Sequence, residues 1–420
     1  MRVALLSTLE PSADDAGTPR GLLRLGGRSV VQHQASVALA LGCEKVICLA
    51  EGLPGELIAL QHAVERGGAA FQPAPDGRSL ARLVRPEDEL VVFSDGLVAP
   101  TEAVSTLLGG RSGVVVQPVE QGLAAGYERI DLNHAGAGVF RVPGRLAAGL
   151  AELPGEWNPV SALLRMAVQS SVRQVVLPQA LLGGGGWALV RSDAEAHRLE
   201  PQWLRRHTEK AESGGPGRWL AARLVERLGP SLLHAGTRPS VLNIGAAALA
   251  LIALLAAWFG AYTPAFGGLG LAWLGRRCAA ILARVHGDAA PTPRGSLNAE
   301  AAFDLALDGA FATAITWCFT AVRTEPSAAL HGLFVALTLL GLLRFTAAVF
   351  AGRRWKAWLD DRLVLAIALA AASFSAVFDL ALMAGVLGLL AFALTAGHET
   401  SAPEDPEAGS GRAADRLTPP

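Results

Sequence analysis

Two patterns of hydrophobic and polar positions divide the chain. Up to about residue 200, short Val/Ile/Leu-rich runs alternate with stretches of helical periodicity. Strands are expected at Val3–Ser7, Lys45–Ala50, Glu89–Ser94, Gly113–Val119 and Gly138–Val142, with a helix near Val30–Leu41. Strands separated by helix-length segments predict right-handed crossovers and a mostly parallel sheet with helices on both faces. Ligands of such sheets gather at the carboxyl ends of the strands. Beyond residue 240 the polar positions thin out. Six apolar stretches follow, at about 241–260, 265–284, 303–322, 328–350, 362–378 and 380–397, each near the length that spans a bilayer. The pattern predicts an α/β domain followed by an all-α, six-helix transmembrane bundle.

Four segments are expected: an α/β domain over 1–200, a linker with an interfacial helix over 201–240, a membrane domain over 241–397 and a disordered tail over 398–420. Composition agrees, since 51% of residues are hydrophobic and only 17% charged, and the charges lie mostly before residue 238. A net charge of −1 without a dominant basic patch argues against nucleic acid as a partner. Cys43, Cys48, Cys278 and Cys318 have neither metal nor disulfide spacing and read as reduced packing residues. The opening MRVALLSTLEP has too short an apolar core for a signal peptide and reads as a first strand. Arg284 and Arg294 flank one loop of the membrane domain, and Arg353-Arg354-Trp355-Lys356 fills another, whereas the loop at Arg323–Pro326 has one basic residue. The positive-inside rule then predicts a multi-pass protein of the bacterial inner (plasma) membrane with its amino-terminal domain in the cytoplasm.

Gly183–Gly186 is expected to be a turn, and Glu212–Gly217 a flexible joint. Arg218–Arg227 places Trp219, Leu220, Leu224 and Val225 among arginines, which suits either an amphipathic helix on anionic lipid or a soluble helix packed on the first domain.

The most informative chemistry lies in Ala283–Asp308. Asp304 and Asp308 are four apart, so on a helix both occupy one face, one turn from each other. Carboxylates at the mouth of a membrane helix are costly unless they face a polar cavity, a partner or a metal; the plainer reading is a helix end in the headgroup zone. Together with Gly287 and Ala290 this stretch resembles the signature of the CDP-alcohol phosphotransferases, D-x-x-D-G-x-x-A-R-x8-G-x3-D-x3-D. The eight positions fall at Ala283, His286, Gly287, Ala290, Pro291, Glu300, Asp304 and Asp308, and four match: Gly287, Ala290, Asp304 and Asp308. The resemblance implies Asp304 as a metal ligand for Mg2+ or Mn2+, Asp308 as the base toward an acceptor hydroxyl, Gly287 and Ala290 in substrate binding, and a homodimer. Two metal aspartates of the signature are Ala283 and His286 here; Asp288 and Glu300 are the available substitutes. Arg344, deep in an apolar run, is expected to face the bundle interior, holding a lipid phosphate or pairing with an acid, or else to snorkel to the interface.

The amino-terminal domain carries a second resemblance. Thr18–Arg28 (TPRGLLRLGGR) is similar to the "PK-x-L-x-x-x-x-G" segment of nucleotidyltransferases of the sugar-nucleotide and molybdopterin-guanylyl type, and Leu90–Gly96 resembles the strand ending in their metal-binding aspartate, Asp95. This implies a nucleotidyltransferase-like, Rossmann-like fold, with Arg20 in the place of the phosphate lysine and Asp95 on a metal. Two features depart from it: Thr8–Asp15 has no glycine and three acids, and the second metal aspartate is Arg191.

The order of the two resemblances is that of bifunctional inositol-1-phosphate cytidylyltransferase/phosphodiester synthases. It implies phospholipid head-group or polyol phosphodiester synthesis, with membrane lipids and a nucleotide or CDP-alcohol as partners. The alternative is a catalytically decayed pseudoenzyme serving as a membrane scaffold or as a lipid- or nucleotide-binding regulator.

Overall fold

A computed structural model describes residues 1–52, 55–182, 186–212, 215–234, 239–285, 299–323, 325–349, 358–374 and 377–400. Gly287, Asp288, Ala290, most of the Gly183–Gly186 turn, the Arg353–Lys356 cluster and the tail from Ser401 lie outside the described residues. So do the side chain of Glu300 and part of the Glu212–Gly217 joint. The chain divides into two compact units: Met1–Lys210 with Ala222–Pro239 and Ala280–Ala290, and Ala211–Ala221 with Ser240–Ala279 and Pro291–Pro420.

The first unit is built on seven strands: β1 (Arg2–Ser7), β2 (Lys45–Leu49), β3 (Ala70–Ala74), β4 (Glu89–Phe93), β5 (Gly113–Pro118), β6 (His134–Pro143) and β7 (Gln174–Val176). Their order across the sheet is β7-β5-β6-β4-β1-β2-β3. All pairings are parallel except those of β6, which runs antiparallel to both neighbours. The helices are α1 (Val30–Ala40), α2 (Gly55–Arg66), α3 (Gly77–Leu83), α4 (Thr101–Leu107), α5 (Val119–Ala124), α6 (Pro159–Gln169) and α7 (Gln179–Leu182). The alternation within β1 decides the layers. Ala4 and Leu6 pack with Val31, Leu60 and Val104 of α1, α2 and α4, while Val3 and Leu5 pack with Leu80 and Leu163 of α3 and α6. Both faces are covered, as the strand spacing predicts. Strands β3 and β7 were not legible, and β3 tolerates Pro73 because it is an edge.

Helix α8 (Asp193–Glu212) closes this unit and α9 (Pro216–His234) follows. Trp219 and Leu228 on α9 are exposed and Val225 is buried, an amphipathic distribution.

The second unit is helical: α10 (Pro239–Trp258), α11 (Tyr262–Val285), α12 (Ala299–Val322), α13 (Ala328–Val349), α14 (Arg362–Ala372) and α15 (Phe378–Thr400). They follow the six apolar stretches in order, yet among the described residues only four helices are long and apolar enough to cross a membrane: Ser240–Trp258, Ala301–Val322, Ala328–Ala347 and Phe378–Thr395. Four of the six expected spans are thus matched among the described residues. Arg276, Arg277 and Arg284 interrupt the hydropathy of α11, and α14 has only 11 residues. Phe266, Trp273, Phe311, Phe319 and Phe378 fill the helical core. Leu251, Phe334, Leu337, Leu387 and Leu394 point outward, as lipid-facing side chains do.

Candidate functional site

In the α/β unit the carboxyl ends of β1 and β4 lie side by side, and each sends a polar residue into one cavity. Asp95, two residues past β4, is 4% exposed, and neither of its oxygens has a hydrogen-bond partner of normal geometry among the described residues. Burial pushes its carboxyl up to about 7, against an opposing contribution from the Ser7 hydroxyl. The cavity, of about 280 Å³, is lined by Glu10, Arg20, Asp95, Tyr127, Glu128 and Asn158 among others. Asn158 caps α6 by accepting from Val160 and Ser161 N–H, Pro159 fixing the first helical φ. The Asn158 amide, held there, donates to Glu10 at 2.6 Å. Arg20 donates Nε–H to the Pro11 carbonyl at 3.0 Å and stands 3.9 Å from Glu10.

The acid-rich loop after β1 is tied down. Ala13 N–H donates to the Arg191 carbonyl at 2.8 Å, and the Arg191 guanidinium pairs with Glu195 at 2.6 Å. Gly96 has φ +81°, and a Cβ there would lie 2.2 Å from the Val190 carbonyl oxygen, so glycine is what lets Val190 approach. The Arg20 segment is clamped by α8: Gly26 N–H donates to Glu200 at 3.1 Å, and Trp203 stands edge-on to His33 at 5.2 Å.

Mg2+ or Mn2+ needs several oxygen ligands. The described residues contain no group of three His, Cys, Asp or Glu able to hold a metal. Asp95 brings one buried carboxylate, and Arg191 is spent on Glu195, so the donor set in this cavity does not fit a divalent cation.

In the helical unit Asp304 and Asp308 do share one face of α12, and both line a cavity of about 400 Å³. Their neighbours are cations. Arg362, at the start of α14, reaches Asp308 Oδ1 with Nε at 2.9 Å and Oδ2 with Nη2 at 3.0 Å. Arg344 of α13 donates Nε–H to the same Oδ2 at 2.7 Å, the acid-pairing alternative for that residue. Asp304 lies 4.0 Å from Arg276 and 3.8 Å from Arg277 of α11, and its Oδ1 accepts no hydrogen bond among the described residues. Arg218 pairs with Asp360. Asp361 caps α14 and also accepts Gly217 N–H at 2.6 Å, placing Arg362.

The cavity lining thus counts four arginines (Arg218, Arg277, Arg344, Arg362) against three aspartates (Asp304, Asp308, Asp360). Three buried nitrogens, Arg218 Nε, Arg277 Nε and Arg362 Nη1, have no hydrogen-bond partner among the described residues. Unpaired guanidinium donors in a low-dielectric cavity suit a phosphate, whose oxygens match their planar fork. Asp308 does not suit a metal, because both of its oxygens are taken up, whereas Asp304 keeps Oδ1 without a hydrogen bond among the described residues. Arg218, Arg362 and Asp360 escaped sequence reasoning, although Asp360-Asp361-Arg362 ahead of an apolar run was a usable signal.

No protein-family model matches the chain, and no curated protein matches it. Among solved structures, a UDP-glucose pyrophosphorylase from Acinetobacter baumanii covers 49% of this chain and 94% of its own, with 12% identity and a TM-score of 0.36. A UDP-glucose pyrophosphorylase complexed with UDP-glucose covers 49% and 99%, with 11% identity and a TM-score of 0.36.

Proposed function

We propose that this protein is a membrane-embedded binder of phosphorylated head-group or polyol phosphodiester compounds, of the CDP-alcohol phosphotransferase lineage but no longer a metal-dependent transferase. The observation that carries this reading is Asp308, whose two oxygens are engaged by Arg344 and Arg362 beside guanidinium nitrogens that have no partner among the described residues. A base toward a hydroxyl needs a free oxygen, and a metal ligand needs further oxygens beside it. An anion needs neither. The positive-inside pattern supports a cytoplasmic α/β unit, and the Ala/Gly-rich helices support a homodimer.

A second reading, phosphoalcohol transfer, is favoured by one observation: Asp304 Oδ1 lines the cavity without a hydrogen bond among the described residues. Lipid profiling separates the two. A deletion strain is complemented with wild type, Asp304→Asn or Arg277→Gln, each checked for equal amounts in the membrane. The binding reading expects that the lipid or phosphodiester species lost on deletion returns with Asp304→Asn and not with Arg277→Gln. Failure of Asp304→Asn to restore it makes transfer the better reading.

A further inference from the structure

We infer that the Asp95 cavity of the α/β unit is a binding site for a small protonated amine, working without a metal ion. Asp95 is almost fully buried, and among the described residues neither of its oxygens accepts a hydrogen bond of full geometry, the Ser7 hydroxyl and the Glu10 N–H giving only weak support. Burying a carboxylate with so little donation is costly, and a ligand that donates to it recovers that cost. The Tyr127 hydroxyl, also buried and without a partner among the described residues, lines the same cavity.

The charge of the lining decides which donor fits. Glu10, Asp95 and Glu128 face Arg20, and Arg20 already donates to the Pro11 carbonyl and lies beside Glu10. Glu128 accepts the Ser161 hydroxyl, which leaves its negative charge uncompensated. An excess of acids repels a phosphate and attracts a cation. A divalent cation is disfavoured because no three His, Cys, Asp or Glu among the described residues come together to hold one. An ammonium asks less, since it brings up to three N–H donors of its own, enough for both Asp95 oxygens and the phenol. The volume of about 280 Å³ falls just under the range of drug-sized ligand sites, roughly 300–1,000 Å³, so the ligand is small.

The test uses the full-length protein in detergent at pH 8, followed by thermal unfolding, with ethanolamine, myo-inositol and MgCl2 as separate probes. Wild type, Asp95→Asn and Glu128→Gln are compared. The expected result is a concentration-dependent rise in unfolding temperature with ethanolamine alone, abolished in Asp95→Asn and weakened in Glu128→Gln. No rise with ethanolamine, or an equal rise in Asp95→Asn, overturns the inference. A rise with myo-inositol replaces the amine by a polyol, and one with MgCl2 alone restores a metal site; either also overturns it. Glu128→Gln, on an exposed loop, guards against misfolding of the Asp95 variant.

Discussion

Arg362 reaches both oxygens of Asp308, with Nε 2.9 Å from Oδ1 and Nη2 3.0 Å from Oδ2, across 54 residues of chain. Both partners are buried, at 5% and 7% exposure. Breaking such a pair from one side leaves an uncompensated charge, which costs roughly 3–5 kcal/mol. Arg362→Ala is therefore expected to lower the unfolding temperature of the detergent-solubilised protein sharply. Arg344→Ala, which removes a side chain that is 45% exposed, should do so less. Equal effects of the two substitutions would contradict the assignment of Arg362 as the main partner.

Not all of this was legible in the sequence. The α/β unit was, because short continuous apolar runs such as Val3–Ser7 and Lys45–Ala50, spaced by helix-length segments, carry their own signal. Strand β3 was hidden by its composition, AFQPA, since Ala, Gln and Pro are poor strand formers tolerated at a sheet edge. The antiparallel run of β6 depends on tertiary pairing, which no local pattern encodes. Helix spacing did place Asp304 and Asp308 on one face. Their cationic neighbours come from three other helices, so the charge of the cavity became visible only once the chain was folded.

The buried Asp95 makes a sign prediction. Its folded-state value is raised from the ordinary 3.8 to about 7, first by burial. A group raised on folding contributes fully below its unfolded value, and that contribution is lost as pH rises through the folded one. Wild type should thus lose stability between about pH 4 and pH 7.5 by more than Asp95→Asn does. Unfolding temperatures across that range decide it, and parallel curves for the two proteins would remove Asp95 as the cause.

Trp203 is the hinge of the α8 clamp. It is buried against the Gly26 turn, where a Cβ would lie 2.4 Å from its ring, and beside His33. Removing a buried Trp side chain costs about 3–5 kcal/mol, and here the loss falls on the contact that fastens α8 to the Arg20 segment. Trp203→Ala is expected to speed limited proteolysis within Thr18–Arg28 before the sheet itself unfolds. Unchanged cleavage there would mean that Glu200 and Gly26 hold the segment without it.

Gly96 and Gly110 form a controlled pair. Both have φ +81°, so alanine at either position carries the left-handed strain of about 1–2 kcal/mol. They differ in surroundings: a Cβ at Gly110 meets nothing within 4 Å, whereas at Gly96 it would sit 2.2 Å from the Val190 oxygen. That oxygen belongs to the backbone, which also donates Val190 N–H to the Gly96 carbonyl at 2.8 Å. The clash can be relieved only by parting the antiparallel pair Leu97–Val98 and Ala188–Leu189. Gly110→Ala should therefore cost only the strain. Gly96→Ala should cost at least about 2 kcal/mol more, since it adds a broken backbone contact and displaced packing around Asp95. Chemical denaturation of the two variants provides the comparison, and a Gly96→Ala loss no larger than that of Gly110→Ala would show that the strand pair yields without cost.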